Sequence, residues 1–348
     1  MTIRVLQWTT GNVGRRSLRA VLRDPDLELV GVFAHGPSKV GVDAADLCGH
    51  EEPTGILATG DIDALLATGA DVCSYNPMWP DVDHLCRLLE AGINVSSTAG
   101  FITGRALGED AIARIEAAAQ RGGTTMFGSG INPGFANLFA LVSTQVCDQI
   151  DQIRVIESVD STDYDSGDTE LSVGYTLPID TPGLLAKTEQ ATLVFSDAVA
   201  MMADALGVEL DDITFDADYA AATEEEDLGY ITIPKGGVAA IDGRWRGRFG
   251  GRDLIVLNFQ WLKGRHVTPP FKLRHGYHVE IEGEPNVHSQ LMIFPGKDWS
   301  EPGFMGLGMI MTAMPAVNAI AAVVAAPPGI ATHATLGLVT AGAFVTGR

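Results

Sequence analysis

Ile3-Arg4-Val5-Leu6-Gln7-Trp8-Thr9-Thr10-Gly11-Asn12-Val13-Gly14-Arg15-Arg16-Ser17-Leu18 is the stretch on which the architecture turns. Ile3 to Trp8 is a short apolar run with β character. Arg15 to Arg23 is a helical stretch with Leu18, Val21 and Leu22 on one face. A strand, a glycine turn and a helix in succession make a phosphate cradle. The N–H groups at the helix start point toward an anion, and the helix dipole adds partial positive charge. Gly11 lets the backbone approach a pyrophosphate, and Gly14 lets the helix pack closely on the strand. Thr9 stands where the usual G-x-G-x-x-G pattern has its first glycine. Thr10, Gly11, Asn12, Val13 and Gly14 are therefore the expected pyrophosphate site.

Outward from this turn, strands and helices alternate to about residue 145, the pattern of a parallel sheet with helices on both faces. Strands are expected at Glu28 to Ala34, near Ile56, at Asp71 to Tyr75, Ile93 to Ser97 and Thr124 to Phe127. Helices are expected at Ile62 to Ala67, Asp81 to Ala91 and Ala106 to Arg121. This is an α/β, doubly wound dinucleotide fold over residues 1–150. After Asp151 strands dominate: Ile153 to Ser158, Ile213 to Ala217, Leu254 to Trp261, Tyr277 to Glu282 and Gln290 to Phe294, with one helix at Glu189 to Leu206. Residues 151–304 read as an α+β domain with a largely antiparallel sheet, one face of which suits pairing with a second copy. Residues 305–348 read as a helix and tail that return to the first domain.

Composition narrows the function classes. The chain has 348 residues, 46% apolar and 19% charged, as in globular enzymes. Its net charge of −21 repels nucleic acid and anionic membranes, so neither is an expected partner. Any phosphate ligand must then be held by a local site. Cys48, Cys73, Cys86 and Cys147 show no C-x-x-C spacing and read as thiols of a reducing, cytoplasmic compartment. Thr2-Ile3-Arg4 leads directly into a strand rather than a signal peptide. Met305 to Ala326 is strongly apolar, but Pro315 and Asn318 point to a core helix. The acidic run Glu224 to Asp227 reads as a solvated turn. No clustered Cys/His or Asp-rich loop points to a metal, and no G-x-S-x-G points to a serine hydrolase.

The residues after the second strand speak to cofactor choice. NAD-selective folds place an acid there, about twenty residues past the turn, to bind the ribose 2′-hydroxyl. Here the sequence is Phe33-Ala34-His35-Gly36-Pro37-Ser38-Lys39, without an acid. A carboxylate would repel a 2′-phosphate, whereas Ser38 and Lys39 could hold one. NADP(H), or use of both NADP(H) and NAD(H), is expected, with His35, Ser38 and Lys39 at the site. Asn76 and Pro77 follow the strand that ends at Tyr75, where the ribose next to nicotinamide would pass, and Thr98 follows the next strand.

Three segments together carry a family resemblance: Gln7 to Gly14, then Gly128-Ser129-Gly130-Ile131-Asn132-Pro133-Gly134-Phe135, then Met314-Pro315-Ala316-Val317-Asn318 running to Ala326-Pro327-Pro328-Gly329. The chain resembles the dihydrodipicolinate-reductase-like proteins. Within them it resembles the NAD(P)H-dependent amine dehydrogenases related to 2,4-diaminopentanoate dehydrogenase. The resemblance implies a Rossmann domain, a dimerising C-terminal α+β domain and hydride transfer to a C=N bond. It places Gly130 and Asn132 in a loop under the nicotinamide. Two departures stand out. Dihydrodipicolinate reductases carry a His-His pair and a lysine where this chain has Glu157-Ser158-Val159-Asp160, which argues against diaminopimelate synthesis. Amine dehydrogenases of the group usually carry an ammonia-activating glutamate in the loop that here reads Ser97-Thr98-Ala99-Gly100-Phe101-Ile102, and no acid appears before Glu109.

Reduction of C=O or C=N needs a proton donor within hydrogen-bond reach. The expected donors in the second domain are Asp160 and Tyr164 in a loop after a strand, Tyr175 in a short apolar run, and His266. Glu157 reads as a paired core carboxylate. Trp8, Trp79, Phe101 and Phe135 are candidates for the walls of an apolar pocket. The expected activity is hydride transfer to an imine formed from a small ketone and ammonia, by a homodimer, with no metal. Carbonyl reduction without ammonia and non-catalytic NADP binding remain as alternatives.

Overall fold

The computed structural model describes residues 2–301 and 305–346. The chain divides into two compact units, Met1–Phe135 with Gly308–Arg348, and Ala136–Leu307. The sequence placed these boundaries at 150 and 304. The helix Ala136–Ser143 accounts for most of the difference, because it packs on elements of the second unit, the helix Leu193–Leu206 among them.

The first unit is a six-stranded parallel sheet. Its strands are β1 (Ile3–Trp8), β2 (Leu27–Phe33), β3 (Val72–Tyr75), β4 (Asn94–Ser97) and β5 (Thr125–Gly128), with a further strand, Gly329–Ala331, from the end of the chain. That last strand pairs with β5, so the spatial order runs 2-1-3-4-5 and then Gly329–Ala331. The strand expected near Ile56 is reduced to two isolated bridges, Asp43 with Leu57 and Phe33 with Thr59. Helices on both faces bury β3 and β5 at every position, and the polar residues they carry, Ser74 and Thr125, each make a side-chain hydrogen bond. The first helix, Gly14–Arg23, buries Leu18 and Val21 at helical spacing. Asp81 caps the helix Val82–Glu90 by accepting from the His84 N–H.

The apolar stretch Met305–Val324 is long and apolar enough to cross a membrane by length and composition, and half of it is buried inside the fold. It forms two helices, Met305–Asn318 and Ile320–Val324. Val317 and Ile320 lie in the core with Val5, Val32 and Val72, while Ala319 and Val323 pack with Phe127.

The second unit holds a seven-stranded sheet. Its strands are β6 (Gln149–Asp160), β7 (Asp212–Ala222), β8 (Val238–Phe249), β9 (Arg252–Leu262), β10 (Val267–Thr268), β11 (Gly276–Glu284) and β12 (Val287–Leu291), in the spatial order 10-7-8-9-6-11-12. Only β9 and β6 run parallel among these pairs. The edge strand lies a few residues before the expected Gln290 to Phe294, and Phe294 is exposed. The expected single helix Glu189 to Leu206 is two, Leu184–Ala191 and Leu193–Leu206. They meet at Thr192, whose Oγ1 donates to the Thr188 carbonyl and accepts from the Trp245 indole.

Sequence reading missed β8, a twelve-residue strand. Its inward positions include Gly243 and Gly247, which leave room for the Phe259 ring and for Val199 and Leu210. Its outward positions carry Arg244, Arg246 and Arg248. Three like charges two residues apart on one face need acids across the ladder. Arg244 faces Asp216 in register, and its guanidinium donates to Asp216 and Asp218 at 2.6 Å. Arg246 donates to Asp216 and Asp253.

Candidate active site

The carboxyl ends of β1 and β3 diverge where the strand order reverses, the place at which open α/β sheets bind ligands. Thr9 has φ of 68° there, a left-handed conformation that strains a β-branched residue. It thus takes the backbone form that a glycine would adopt freely. A Cβ on Gly14 would stand 2.5 Å from the Thr9 carbonyl oxygen, whereas one on Gly11 would meet nothing within 4 Å. Gly14 is required by packing, and Gly11 leaves the mouth of the turn open. The first helix has no side-chain cap and no acid in its first turn. The Thr9 and Thr10 hydroxyls are buried without hydrogen-bond partners among the described residues. An uncapped helix start, an open glycine and orphaned hydroxyls suit an anionic dinucleotide.

A buried network sets the floor of this crevice. Gln7 Nε2 donates to the Thr9 carbonyl and to Asn76 Oδ1, both at 2.8 Å. Ser74 also donates to Asn76 Oδ1, and Asn76 Nδ2 donates to Thr98 Oγ1 at 2.8 Å. Lys39 Nζ donates to the Thr10 carbonyl at 2.8 Å, which brings the loop after β2 against the glycine turn. Thr10 to Gly14, Lys39, Asn76 and Thr98 thus belong to one connected set. His35 and Ser38 are exposed on the loop before Lys39, and Pro77 is half-buried after Asn76.

Gly128 ends β5 against the carbonyl of Phe101, and a side chain at Gly128 would collide with it. Gly130 is buried and Asn132 half-buried in the loop that follows. Ser129 Oγ lies 2.8 Å from His333 Nε2. The His333 ring stands edge-on to Phe127, and burial lowers its pKa to about 4, so the ring is neutral at physiological pH. Trp8 and Phe101 are core residues rather than pocket walls: Trp8 is stacked on Phe33 with centroids 4.2 Å apart, and Phe101 is buried. Trp79 and Phe135 are exposed.

In the second unit the four candidate donors differ in their commitments. The Tyr175 hydroxyl is buried and donates to the Trp261 carbonyl. Asp160 accepts from the Thr162 N–H and hydroxyl in a turn. His266 Nδ1 lies 2.7 Å from Glu224, on the surface. The acidic run is more than a solvated turn, because Glu226 accepts from the N–H groups of Arg265 and His266. Tyr164 is half-buried, and its hydroxyl makes no hydrogen bond among the described residues.

Sequence reading also missed a buried ionic cluster beside these groups. Lys263 has no exposed surface. Its ammonium donates to the Ser161 carbonyl at 2.6 Å and to the Tyr230 hydroxyl at 2.8 Å, and pairs with Glu170 at 3.1 Å. The rings of Tyr230, Tyr175 and Tyr164 stand 5.3, 5.4 and 5.8 Å away. Burial pushes Glu170 up to about 7, against the pull of Lys263. The available signal was a lysine and a glycine directly after the apolar run Leu254 to Leu262. Among the described residues no group of three or more His, Cys, Asp or Glu could hold a metal ion.

Comparison with known proteins now bears on this geometry. The model of the 2,4-diaminopentanoate dehydrogenase C-terminal domain matches residues 136–344. The amine dehydrogenase of Streptomyces virginiae is 35% identical over 307 residues, 82% of this chain and 83% of that protein. The 2,4-diaminopentanoate dehydrogenase of Acetoanaerobium sticklandii is 25% identical over 343 residues, 95% of this chain and 92% of that one. The structure of an amine dehydrogenase from Mycobacterium smegmatis superposes with a TM-score of 0.79 at 21% identity, over 99% of this chain and 98% of that one. This last likeness shows a shared fold.

The buried pair gives a stability prediction. Lys263→Met leaves the Glu170 carboxyl without its counter-charge and should cost about 3–5 kcal/mol in urea unfolding at pH 7. Replacing both partners, Lys263→Met with Glu170→Leu, should recover most of that loss. A single substitution costing under about 1 kcal/mol would contradict the buried pair.

Proposed function

The chain belongs to the family that carries the 2,4-diaminopentanoate dehydrogenase C-terminal domain and is an NAD(P)-dependent oxidoreductase; from that premise we propose that it reduces the C=N bond formed from a small ketone and ammonia, or runs the reverse reaction. The observation that carries the reading is the open, uncapped turn at Thr10 to Gly14, at the point where the strand order reverses. A nicotinamide cofactor bound there supplies the hydride. The first helix holds the pyrophosphate with its free N–H groups, and the Thr10 hydroxyl faces the same anion. Asn76, fixed by Gln7 and Ser74, orients Thr98.

Lys39 sets the cofactor preference in this reading. One of its three N–H donors is used on Thr10, and the others serve a 2′-phosphate beside Ser38. No acid opposes that charge between Phe33 and Lys39. Lys39→Ala should weaken NADPH binding about tenfold, the loss of one charge-assisted hydrogen bond, and NADH binding less than about twofold. Titration of both cofactors into both proteins checks this. Equal losses would remove Lys39 from the phosphate site.

Tyr164 is the proposed proton donor. Burial raises its pKa to about 12, so it stays protonated through the neutral range. Its hydroxyl is uncommitted among the described residues, unlike the side chains of Tyr175, Asp160 and His266. A second reading, carbonyl reduction without ammonia, is favoured by one observation. The Ser97-to-Ile102 loop lacks a carboxylate, and Ala99, Phe101 and Ile102 in it are buried.

NADPH oxidation with small ketones and aldehydes, with and without excess ammonium, distinguishes the readings. Turnover that requires ammonium supports C=N reduction. Turnover without it makes the protein a carbonyl reductase. Bound NADPH that is never oxidised would overturn the proposal. In whichever condition turns over, Tyr164→Phe should lower kcat about 100-fold with cofactor affinity unchanged.

A further inference from the structure

The final segment of the chain brings a side chain to the cofactor edge of the first sheet. Gly329–Ala331 is only three residues long, yet its register with β5 is fixed: Gly329 lies beside Thr125, Ile330 beside Met126 and Ala331 beside Phe127. Extending that register by two residues sets His333 beside Ser129. Their side chains meet there, Oγ to Nε2, at 2.8 Å. All six strands are parallel, so His333 emerges at the same edge as Thr10, Asn76, Thr98 and Gly130.

The loop that His333 meets has no regular structure to support it. Asn132, Pro133 and Gly134 depart from helical geometry. Its support comes from specific contacts. The Phe135 N–H donates to the Gly130 carbonyl at 2.8 Å, and the Ser129 N–H donates to the Ser97 carbonyl at 2.9 Å. A side chain at Gly134 would come within 2.7 Å of Ser129 Oγ. The serine hydroxyl therefore sits in a fitted space, and its orientation matters. With its proton on Nε2, the neutral ring donates to Ser129 Oγ and directs the serine hydrogen toward the Gly130 carbonyl, 3.4 Å away. The ring is packed edge-on to Phe127 with centroids 5.1 Å apart, which holds it against Ser129.

We propose that His333 is a positioning residue of the cofactor site, acting through Ser129 to hold the Gly128–Asn132 loop where the nicotinamide ring binds. The inference rests on the cofactor reading above. It makes the segment after Val324 a functional part of the dinucleotide site rather than a tail. His333 itself touches no reacting atom; it fixes the backbone that does.

The test compares two ligands that differ only at the nicotinamide: NADP+ and 2′-phospho-ADP-ribose. Each is titrated into wild type, His333→Ala, His333→Gln, Ser129→Ala and the double alanine variant. The alanine variants should bind NADP+ about tenfold more weakly, the value of one lost hydrogen bond at about 1.4 kcal/mol. They should bind 2′-phospho-ADP-ribose within about twofold of wild type. His333→Gln keeps an N–H donor near the Nε2 position and should regain most of the affinity. The double variant should be no weaker than either single one, because both lie on one path. Equal loss for both ligands, or no loss for either, would overturn the inference while leaving the cofactor reading standing. A wild-type protein that binds neither ligand would overturn both.

Discussion

Gln7 is buried completely near the end of β1, and its side-chain NH2 ties the ends of β1 and β3 together. One donor reaches the Thr9 carbonyl and the other reaches Asn76 at the end of β3. Asn76 in turn donates to Thr98 after β4. An unpaired buried amide would cost about 1–3 kcal/mol, so the divergence of β1 from β3 can relax only by breaking bonds that nothing else replaces. Thr9 sits inside this constraint. Its left-handed backbone costs about 1–2 kcal/mol, and bonds at its N–H and carbonyl hold it there. Once Thr9 is fixed, Gly14 must lack a side chain, and the helix start must point out of the sheet edge.

The second unit organises its polar interior differently. In place of a chain of amides, it has one ammonium bonded to a carbonyl, a phenol and a carboxylate. Lys263 stands directly after β9, and Ser161 directly after the neighbouring parallel strand β6. The loop from Ser161 to Glu170 is therefore pinned at both ends by a single side chain. Tyr164 lies between those pins, which gives an otherwise polar loop a fixed geometry.

What was legible in the sequence follows from how each feature is encoded. The β1 turn and first helix are local: an apolar run, a glycine turn and a helical period lie within about twenty residues, and all of them form. Lys39 and Asn76 were legible from the loops that follow strands, although not the bonds that join them to Thr10 and Gln7. β8 was not legible, because its inward glycines exist to admit Phe259, Val199 and Leu210, which are remote in sequence. Its outward arginines look like a solvated loop until Asp216, Asp218 and Asp253 are placed opposite. Gly329–Ala331 is too short for any periodicity, and it becomes a strand only through β5. Lys263 and Glu170 lie far apart along the chain, and His333 meets Ser129 across 204 residues. Tyr175 and His266 looked reactive because residue type is visible in sequence, whereas the carbonyl and carboxylates that engage them are not.

The glycine turn is the feature on which the functional reading depends, and it can be tested without knowing the substrate. Titration of NADPH and NADH into wild-type protein and Gly14→Val measures it directly. A valine at this position would drive its Cβ to 2.5 Å from the Thr9 carbonyl oxygen, displacing the helix start from the strand. Binding of at least one cofactor by the wild type, weakened by about 100-fold or more in a variant that remains folded, is the predicted result. Equal affinity in the two folded proteins would contradict the assignment of the dinucleotide to this turn.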